Sequence, residues 1–220
     1  MASSIDGKID GSALRNVMQP GEYETLHSQL GGDGWICGRT TMQEHFAEDE
    51  PFASTTNKPA GPQPPYVARR ADSYAISVDT DGKLRWSSND LDGDHLICIV
   101  SEHAPSDYLD LLRGKNISYV VSGALSVDLA RAVHLLREHF GILRTLLLEG
   151  GGHINGGFLE AGVVDEVSLL LLPGIDGRHD IPAVFDGVVD SNHTAIPLKL
   201  KSVEQREGGA LWIRYEVLRA

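Results

Sequence analysis

Leu96-Ile97-Cys98-Ile99-Val100 leaves no polar position on either face of an extended chain. A strand of that kind is stable only when it is covered on both sides, which is the situation inside a parallel sheet with helices above and below. The segments around it repeat the theme. Gly34–Gly38, Ser73–Val78, Ile117–Val121, Leu143–Leu148 and Val167–Leu172 are short, β-rich and bounded by turn residues, and read as further strands. Helical patterns lie between them. Glu22–Leu30 ends at Gly31-Gly32; Thr40 or Thr41 caps a helix running toward Phe46; a helix from about Pro105 to Arg113 stops at Gly114. Ser126 caps a helix with Leu129, Val133, Leu136 and Phe140 on one face, and Ile154–Ala161 is closed by Gly162. Asp81-Gly82 marks a turn. The tail changes to alternation: Leu198 and Leu200 against Lys199 and Lys201, then Leu211, Ile213, Tyr215 and Val217 against Trp212, Arg214 and Glu216, with Gly208-Gly209 between. That predicts an antiparallel hairpin with one buried face. The fold class expected is α/β, a mainly parallel central sheet flanked by helices with a C-terminal antiparallel hairpin.

Five of the ten prolines fall between Pro51 and Pro65, so residues 51–72 are expected as a long surface loop rather than a regular element. With 220 residues, the chain is expected to form one domain, 1–220. Its formal charge of −12 argues against a general nucleic-acid binder, because phosphates are repelled at long range, although one local pocket can still hold a phosphorylated small molecule. Cys37 and Cys98 sit in apolar runs and read as buried thiols. No apolar stretch reaches membrane-span length, and Met1–Asp6 has no signal-peptide character, so a cytoplasmic location without membrane contact is expected. The nine histidines show no metal-ligand spacing, and no metal is expected.

In sheets of this class ligands bind beyond the carboxyl ends of the strands. The strongest candidate there is Leu148-Glu149-Gly150-Gly151-Gly152-His153-Ile154-Asn155-Gly156-Gly157. A strand runs into three glycines and then a helix. Bare backbone lets N–H groups approach an anion, and the helix start adds partial positive charge, which suits a dinucleotide diphosphate. Glu149, at the strand end, is placed to meet a polar ring or sugar. Gly38-Arg39-Thr40-Thr41 is a second strand end with backbone, hydroxyl and guanidinium donors. Ser3-Ser4-Ile5-Asp6-Gly7-Lys8 is a third, in which Asp6 and Lys8 could hold a polar ligand.

Ser4-Ile5-Asp6-Gly7-Lys8-Ile9, Gly38-x-x-Thr41, Leu148-Glu149-Gly150-Gly151-Gly152-x-Ile154-Asn155 and Glu160-Ala161-Gly162-Val163-Val164-Asp165-Glu166-Val167 together resemble, in order and over almost the whole chain, the reductase domain of riboflavin biosynthesis. That domain often forms half of a bifunctional pyrimidine deaminase/reductase and has a dihydrofolate-reductase-like fold. The resemblance implies an NADPH-dependent reductase, 5-amino-6-(5-phosphoribosylamino)uracil reductase-like, delivering hydride to C1′ of a ring-opened ribose imine. A reductase of another pterin, imine or carbonyl compound and a non-catalytic nucleotide-binding relative are the alternatives. It implies substrate contacts at Glu149, and at Ser4, Asp6 and Lys8. It implies cofactor contacts at Ala2, Ser3, Gly38, Arg39, Thr40, Thr41, Gly150, Gly151, Gly152, His153, Ile154, Asn155 and Gly156. Thr80, Ser101 and Gly123, which end neighbouring strands, fall on the adenosine side. Asp6, Lys8 and Glu149 are the catalytic candidates, the proton coming from Glu149 through water, from Lys8 or from solvent. A homodimer is also implied. After Gly-x-x-Thr the family usually carries an Asp-Asp-Pro-Arg-like substrate segment, where this chain reads Met42-Gln43-Glu44-His45-Phe46.

Overall fold

The computed structural model describes residues 1–142, 144–187 and 194–219. In chain order the elements are β1 (Ala2–Ser3), α1 (Gly11–Leu14), α2 (Glu22–Leu30), β2 (Gly34–Gly38), α3 (Arg39–His45), β3 (Tyr74–Val78), β4 (Asp90–Leu91) and β5 (Asp94–Val100). There follow α4 (Ser106–Gly114), β6 (Ser118–Val121), α5 (Leu129–Phe140), β7 (Leu146–Leu148), α6 (Gly152–Glu160), β8 (Glu166–Leu171), β9 (Leu198–Gln205) and β10 (Leu211–Val217). The residues gather into two compact units, one made of Met1–Gly31 and Gly150–Ala220, the other of Gly32–Glu149. No helix among the described residues is long and apolar enough to cross a membrane.

The Gly32–Glu149 unit is a six-stranded sheet in which β6, β5, β3, β2 and β7 lie parallel and the short β4 pairs antiparallel with β5. As the apolar run requires, Leu96–Val100 is wholly inaccessible. β3 is buried at every position, so the alternation of Ser73–Val78 does not mark an exposed face. The core gathers Trp35, Met42, Leu84, Trp86, Tyr108, Leu112 and Tyr119. The proline-rich segment has no helix or strand, yet it is tied down. Ala60 N donates to Ala104 O (2.7 Å), Gly61 N to Glu102 O (2.9 Å), and Tyr66 and Tyr119 exchange two backbone bonds of 3.0 Å each. Phe52, Ala60 and Tyr66 pack on the core, so this surface loop supplies part of the apolar cover.

Two helix caps differ from expectation. α5 is capped by Asp128, whose carboxylate accepts from Arg131 N (2.9 Å); Ser126 lies outside it. α3 begins directly at Arg39 with extended Gly38 as its cap residue, so Thr40 and Thr41 sit inside the first turn rather than capping it.

The other unit is a four-stranded sheet ordered β1-β8-β10-β9, with β1 parallel to β8 and the rest antiparallel. Its core is Leu14, Leu26, Leu170, Leu172, Ala210 and Trp212. The expected antiparallel hairpin is formed by β9 and β10, but β9 has no buried position. Trp212 is the buried residue of β10, its indole N–H on Ser168 Oγ (2.8 Å), whereas Leu198, Leu200 and Val203 of β9 are exposed. Both alternating sets contain apolar groups, and the larger ring took the core. β7 spans Leu146–Leu148, and the expected start of that strand at Leu143 lies outside the described residues.

Candidate functional site

The glycine block lies at the start of the Gly150–Ala220 segment. Gly150 has φ +95° and the Gly150–Gly151 peptide is cis. Gly151 is extended (φ −60°, ψ −168°) and is the cap residue of α6, without a side chain to accept from the first turn. The first intrahelical bond is Asn155 N to Gly151 O (3.1 Å), so the N–H groups before it have no helical acceptor. The helix starts at Gly152, two residues earlier than the sequence suggests.

The glycines do different jobs. A Cβ on Gly152 would stand 2.3 Å from Ala183 O, and one on Gly156 1.9 Å from Asp186 O, closer than any real contact. Segment 183–187 runs directly over α6, held by Asp186 N to Gly152 O (3.0 Å) and Asn155 Nδ2 to Val184 O (2.7 Å), while Ala183 N on the Asp186 carboxylate (2.7 Å) closes the segment on itself. Gly152 and Gly156 are therefore required by packing, whatever else their backbone meets. Gly151 is different, since a Cβ there meets nothing nearer than Ile9 Cδ1 at 3.9 Å.

Among the described residues of the same unit, two buried polar side-chain atoms have no hydrogen-bond partner, Asn155 Oδ1 and Ser3 Oγ. Buried groups of this kind are normally satisfied, and such exceptions are commonly completed by water or a ligand. With bare backbone at Gly151 and an uncapped helix start, these residues fit a dinucleotide.

The N-terminal loop is built against residues 174–184. Ile5 N donates to Gly174 O (2.8 Å), Ile9 N to Pro182 O (3.1 Å) and Val184 N to Gly7 O (3.2 Å). Asp6 is exposed and accepts from Asp176 N (3.0 Å) and Gly177 N (2.8 Å). Hydrogen bonding from Ser4, then from those two amides, holds its carboxyl well below the usual range. Lys8 Nζ donates to Ile181 O (2.9 Å), and Ser4 Oγ accepts from Lys8 N (3.0 Å). Asp6 and Lys8 thus shape the loop around Ser4, which is wholly buried and whose Oγ also donates to Lys8 O (3.4 Å). Arg178 bridges Asp10 and Asp176 beside it.

In the Gly32–Glu149 unit the remaining candidates line up along the carboxyl edge of adjacent strands: Gly38–Thr41 after β2, Thr80 after β3, Ser101 after β5 and Gly123 after β6. Ser101 N and Oγ both donate to Thr80 O (3.1 and 2.8 Å), and Glu102 N to Gly123 O (2.8 Å). Glu149 follows β7, half-buried, its N–H on Ile36 O (2.9 Å). Burial, then the Glu149 charge, pushes the Cys37 thiol up.

A profile of the RibD C-terminal domain matches residues 1–212. The chain belongs to the RibD C-terminal domain family. Among relatives, it is 42% identical over 106 residues to a protein of Methanothermobacter thermautotrophicus named 2,5-diamino-6-ribosylamino-4(3H)-pyrimidinone 5′-phosphate reductase, a match covering 46% of each chain. A protein of the same name from Aquifex aeolicus is 27% identical over 191 residues, covering 84% of this chain and 79% of that one. A solved pyrimidine reductase-like protein of Corynebacterium diphtheriae superposes with a TM-score of 0.73 at 18% identity, over 100% of this chain and 90% of that one. The fold is accordingly the mixed α/β, dihydrofolate-reductase-like one of RibD reductase domains.

In this RibD C-terminal domain the sequence reading passed over Asp79, wholly buried directly after β3. Its Oδ2 accepts from Lys83 N and Leu84 N (both 2.7 Å) and from the Tyr108 hydroxyl (3.2 Å), while Oδ1 has no partner. Burial raises its pKa. These bonds form the turn that carries Thr80. The sequence signal was present in Asp79-x-Asp81-Gly82, an acid two residues ahead of a turn. The 183–187 clamp carried no comparable local signal.

Proposed function

We propose that the chain is an NADPH-dependent reductase of a phosphorylated ribosylaminopyrimidine, and that the pyrimidine is 2,5-diamino-6-ribosylamino-4(3H)-pyrimidinone 5′-phosphate, the compound in the names of both curated relatives. The observation that carries the reading is Gly151: extended, unobstructed, at an uncapped helix start beside the orphaned Asn155 Oδ1. The turn Gly150–Gly156 is the proposed seat of the diphosphate, with Ala2 and Ser3 toward the nicotinamide. Gly38, Arg39, Thr40, Thr41, Thr80, Ser101 and Gly123 are the proposed adenosine-side contacts, and Arg39 favours the 2′-phosphate of NADPH over NADH.

When bound, the dihydronicotinamide supplies the hydride that converts the C1′ imine carbon to the ribityl methylene. Everything else is positioning and proton supply. Glu149 accepts hydrogen bonds from the pyrimidine. Asp6 and Lys8 hold the loop around Ser4, and the ammonium of Lys8 or water relayed from Glu149 supplies the proton to the imine nitrogen. A homodimer is part of the proposal, the apolar exposed face of β9 being its natural seat.

A second reading has an observation in its favour. Where relatives carry a substrate segment, Met42 is fully buried and the Phe46 ring lies 5.2 Å from Trp35, so these two residues are committed to the core. A different imine substrate, without the contacts of that segment, is the alternative. The test is loss of reduced-nicotinamide absorbance with the diaminopyrimidinone phosphate, its uracil counterpart and a dihydropterin, alongside thermal shift with NADPH. Saturation at about 100 Kd raises apparent stability by about 2.7 kcal/mol. No shift with NADPH rejects the reading, and turnover of the dihydropterin alone selects the alternative.

A further inference from the structure

Asp79 is wholly buried, yet only one of its carboxylate oxygens is used. Oδ2 takes the amides of Lys83 and Leu84 (2.7 Å each) and the Tyr108 hydroxyl (3.2 Å), and those bonds already form the turn. Oδ1 is equally buried and has no donor among the described residues. The turn needs an acceptor and not a charge, since asparagine offers the same oxygen without the cost of burying an ion. A buried carboxylate with a spare oxygen is ordinarily retained opposite a cation.

The cation at hand is Arg39. β2 and β3 run parallel with Gly38 opposite Val78, so the next residues, Arg39 and Asp79, leave the sheet side by side. Neighbouring strands lie about 4.8 Å apart, well within the reach of an arginine side chain. The Arg39 guanidinium makes no hydrogen bond or ion pair among the described residues. It is also the one cation among the groups that oppose the effect of burial on Asp79. An oxygen lacking a donor and a guanidinium lacking an acceptor therefore stand at adjacent strand ends of one unit. A guanidinium carries five donors around a rigid plane, so one edge can rest on a carboxylate while another takes a second anion.

We infer that Asp79 is a positioning residue: its Oδ1 receives one edge of the Arg39 guanidinium while another edge takes the 2′-phosphate of NADPH, so that a buried acid sets the coenzyme preference. The inference rests on the nucleotide reading above and adds a residue that never touches the coenzyme. Charge and positioning predict opposite signs for Asp79→Asn. Removing a negative charge would by itself tighten the binding of a phosphate. Losing the support of Arg39, with an amide N–H now facing it, weakens that binding. Calorimetric titration of the wild type, Asp79→Asn, Arg39→Ala and the double variant with NADPH, NADH and 2′,5′-ADP reads the difference. Asp79→Asn raises the dissociation constants of NADPH and 2′,5′-ADP about fivefold, leaves NADH within about twofold, and adds nothing in the Arg39→Ala background. A disturbed Thr80 turn would instead weaken NADH equally and persist without Arg39. Arg39→Lys, an exposed change that does not depend on the fold of the Asp79 turn, keeps the charge but not the rigid fork, and also loses about fivefold for NADPH. Unchanged or tighter NADPH binding in Asp79→Asn, an equal loss for NADH, a loss that survives in Arg39→Ala, or wild-type NADPH binding in Arg39→Lys overturns the inference and leaves the reductase reading in place. If the wild type binds neither NADPH nor 2′,5′-ADP, the reading itself fails and takes the inference with it.

Discussion

Gly151→Ala and Gly156→Ala separate packing from binding within a single turn. At Gly156 the new methyl would fall 1.9 Å from Asp186 O and 3.0 Å from its carbonyl carbon, both backbone atoms. Segment 183–187 must lift off α6, breaking the bonds Asp186 N–Gly152 O and Asn155 Nδ2–Val184 O. At about 0.5–1.5 kcal/mol net for each bond, the loss comes to about 1–3 kcal/mol. For a chain of this size that lowers the melting temperature by roughly 2–12 °C. At Gly151 the backbone is extended and the nearest atom is 3.9 Å away, so alanine is accommodated without displacement. Its effect on stability falls between neutral and a gain of about 1 kcal/mol. NADPH, which must approach that same bare backbone, binds at least about tenfold more weakly, a difference of about 1.4 kcal/mol. Differential scanning calorimetry with and without NADPH measures both quantities on both variants. Unchanged NADPH affinity in Gly151→Ala refutes the assignment of the diphosphate. A Gly156→Ala protein as stable as wild type refutes the packing argument.

Asp79→Asn keeps an oxygen for the amides of Lys83 and Leu84 while removing a buried charge. Because the folded-state pKa of Asp79 is raised by burial, the wild type binds its proton more tightly when folded, and stability falls as pH climbs from the unfolded value through the raised one. Melting curves across that window should show the variant gaining on wild type as pH rises; parallel curves would contradict this. Trp212→Ala empties the centre of the Leu14–Leu26–Leu170 cluster and strands Ser168 Oγ, costing about 3–5 kcal/mol in urea unfolding. Cys37 and Cys98, buried and with thiol pKa values pushed up chiefly by burial, should resist an aromatic disulfide reagent in the native state and react only on unfolding. Rapid labelling of either thiol in native buffer counts against the packing described.

What could be read from the chain beforehand was whatever local pattern dictates. Leu96–Val100 demands cover on both faces whatever surrounds it, and the strand–glycine–helix sequence at Leu148–Asn155 fixes a turn from its own residues. Asp128 and Ser126 are both good helix caps two positions apart, and only the closure of the Ser122–Asp128 loop decides between them. The faces of β10 were ambiguous because Trp212 pairs an apolar ring with a polar N–H, and alternation alone does not say which set is buried. The hardest features are those with distant partners. Asp6 acts on amides 170 and 171 residues away. Gly152 and Gly156 look like neighbours of Gly151 in one motif, yet a loop some thirty positions downstream decides that they serve packing.

An acidic chain that holds an anionic nucleotide has to keep some cation out of its own ion pairs. Most guanidinium groups here are consumed: Arg206 on Glu22, Arg178 on Asp10 and Asp176, Arg214 on Glu166, Arg144 on Asp33 and Arg85 on Glu48. Arg39 is in no salt bridge among the described residues, and the carboxylate that feels its charge is the buried Asp79. It is exposed and occupies the first position of α3, where a positive charge opposes the helix dipole by about 0.3–1 kcal/mol. Its charge favours the ionised form of that buried carboxylate, which is what folding gains from it. Asn155 is different, its carbonyl oxygen buried without a donor. A buried acceptor left unpaired breaks a local rule, and such conflicts concentrate where function overrides stability. Arg39 and Asn155 are both among the proposed nucleotide contacts, and a phosphate for the guanidinium and a hydrogen-bond donor for the amide oxygen are the groups that would complete them.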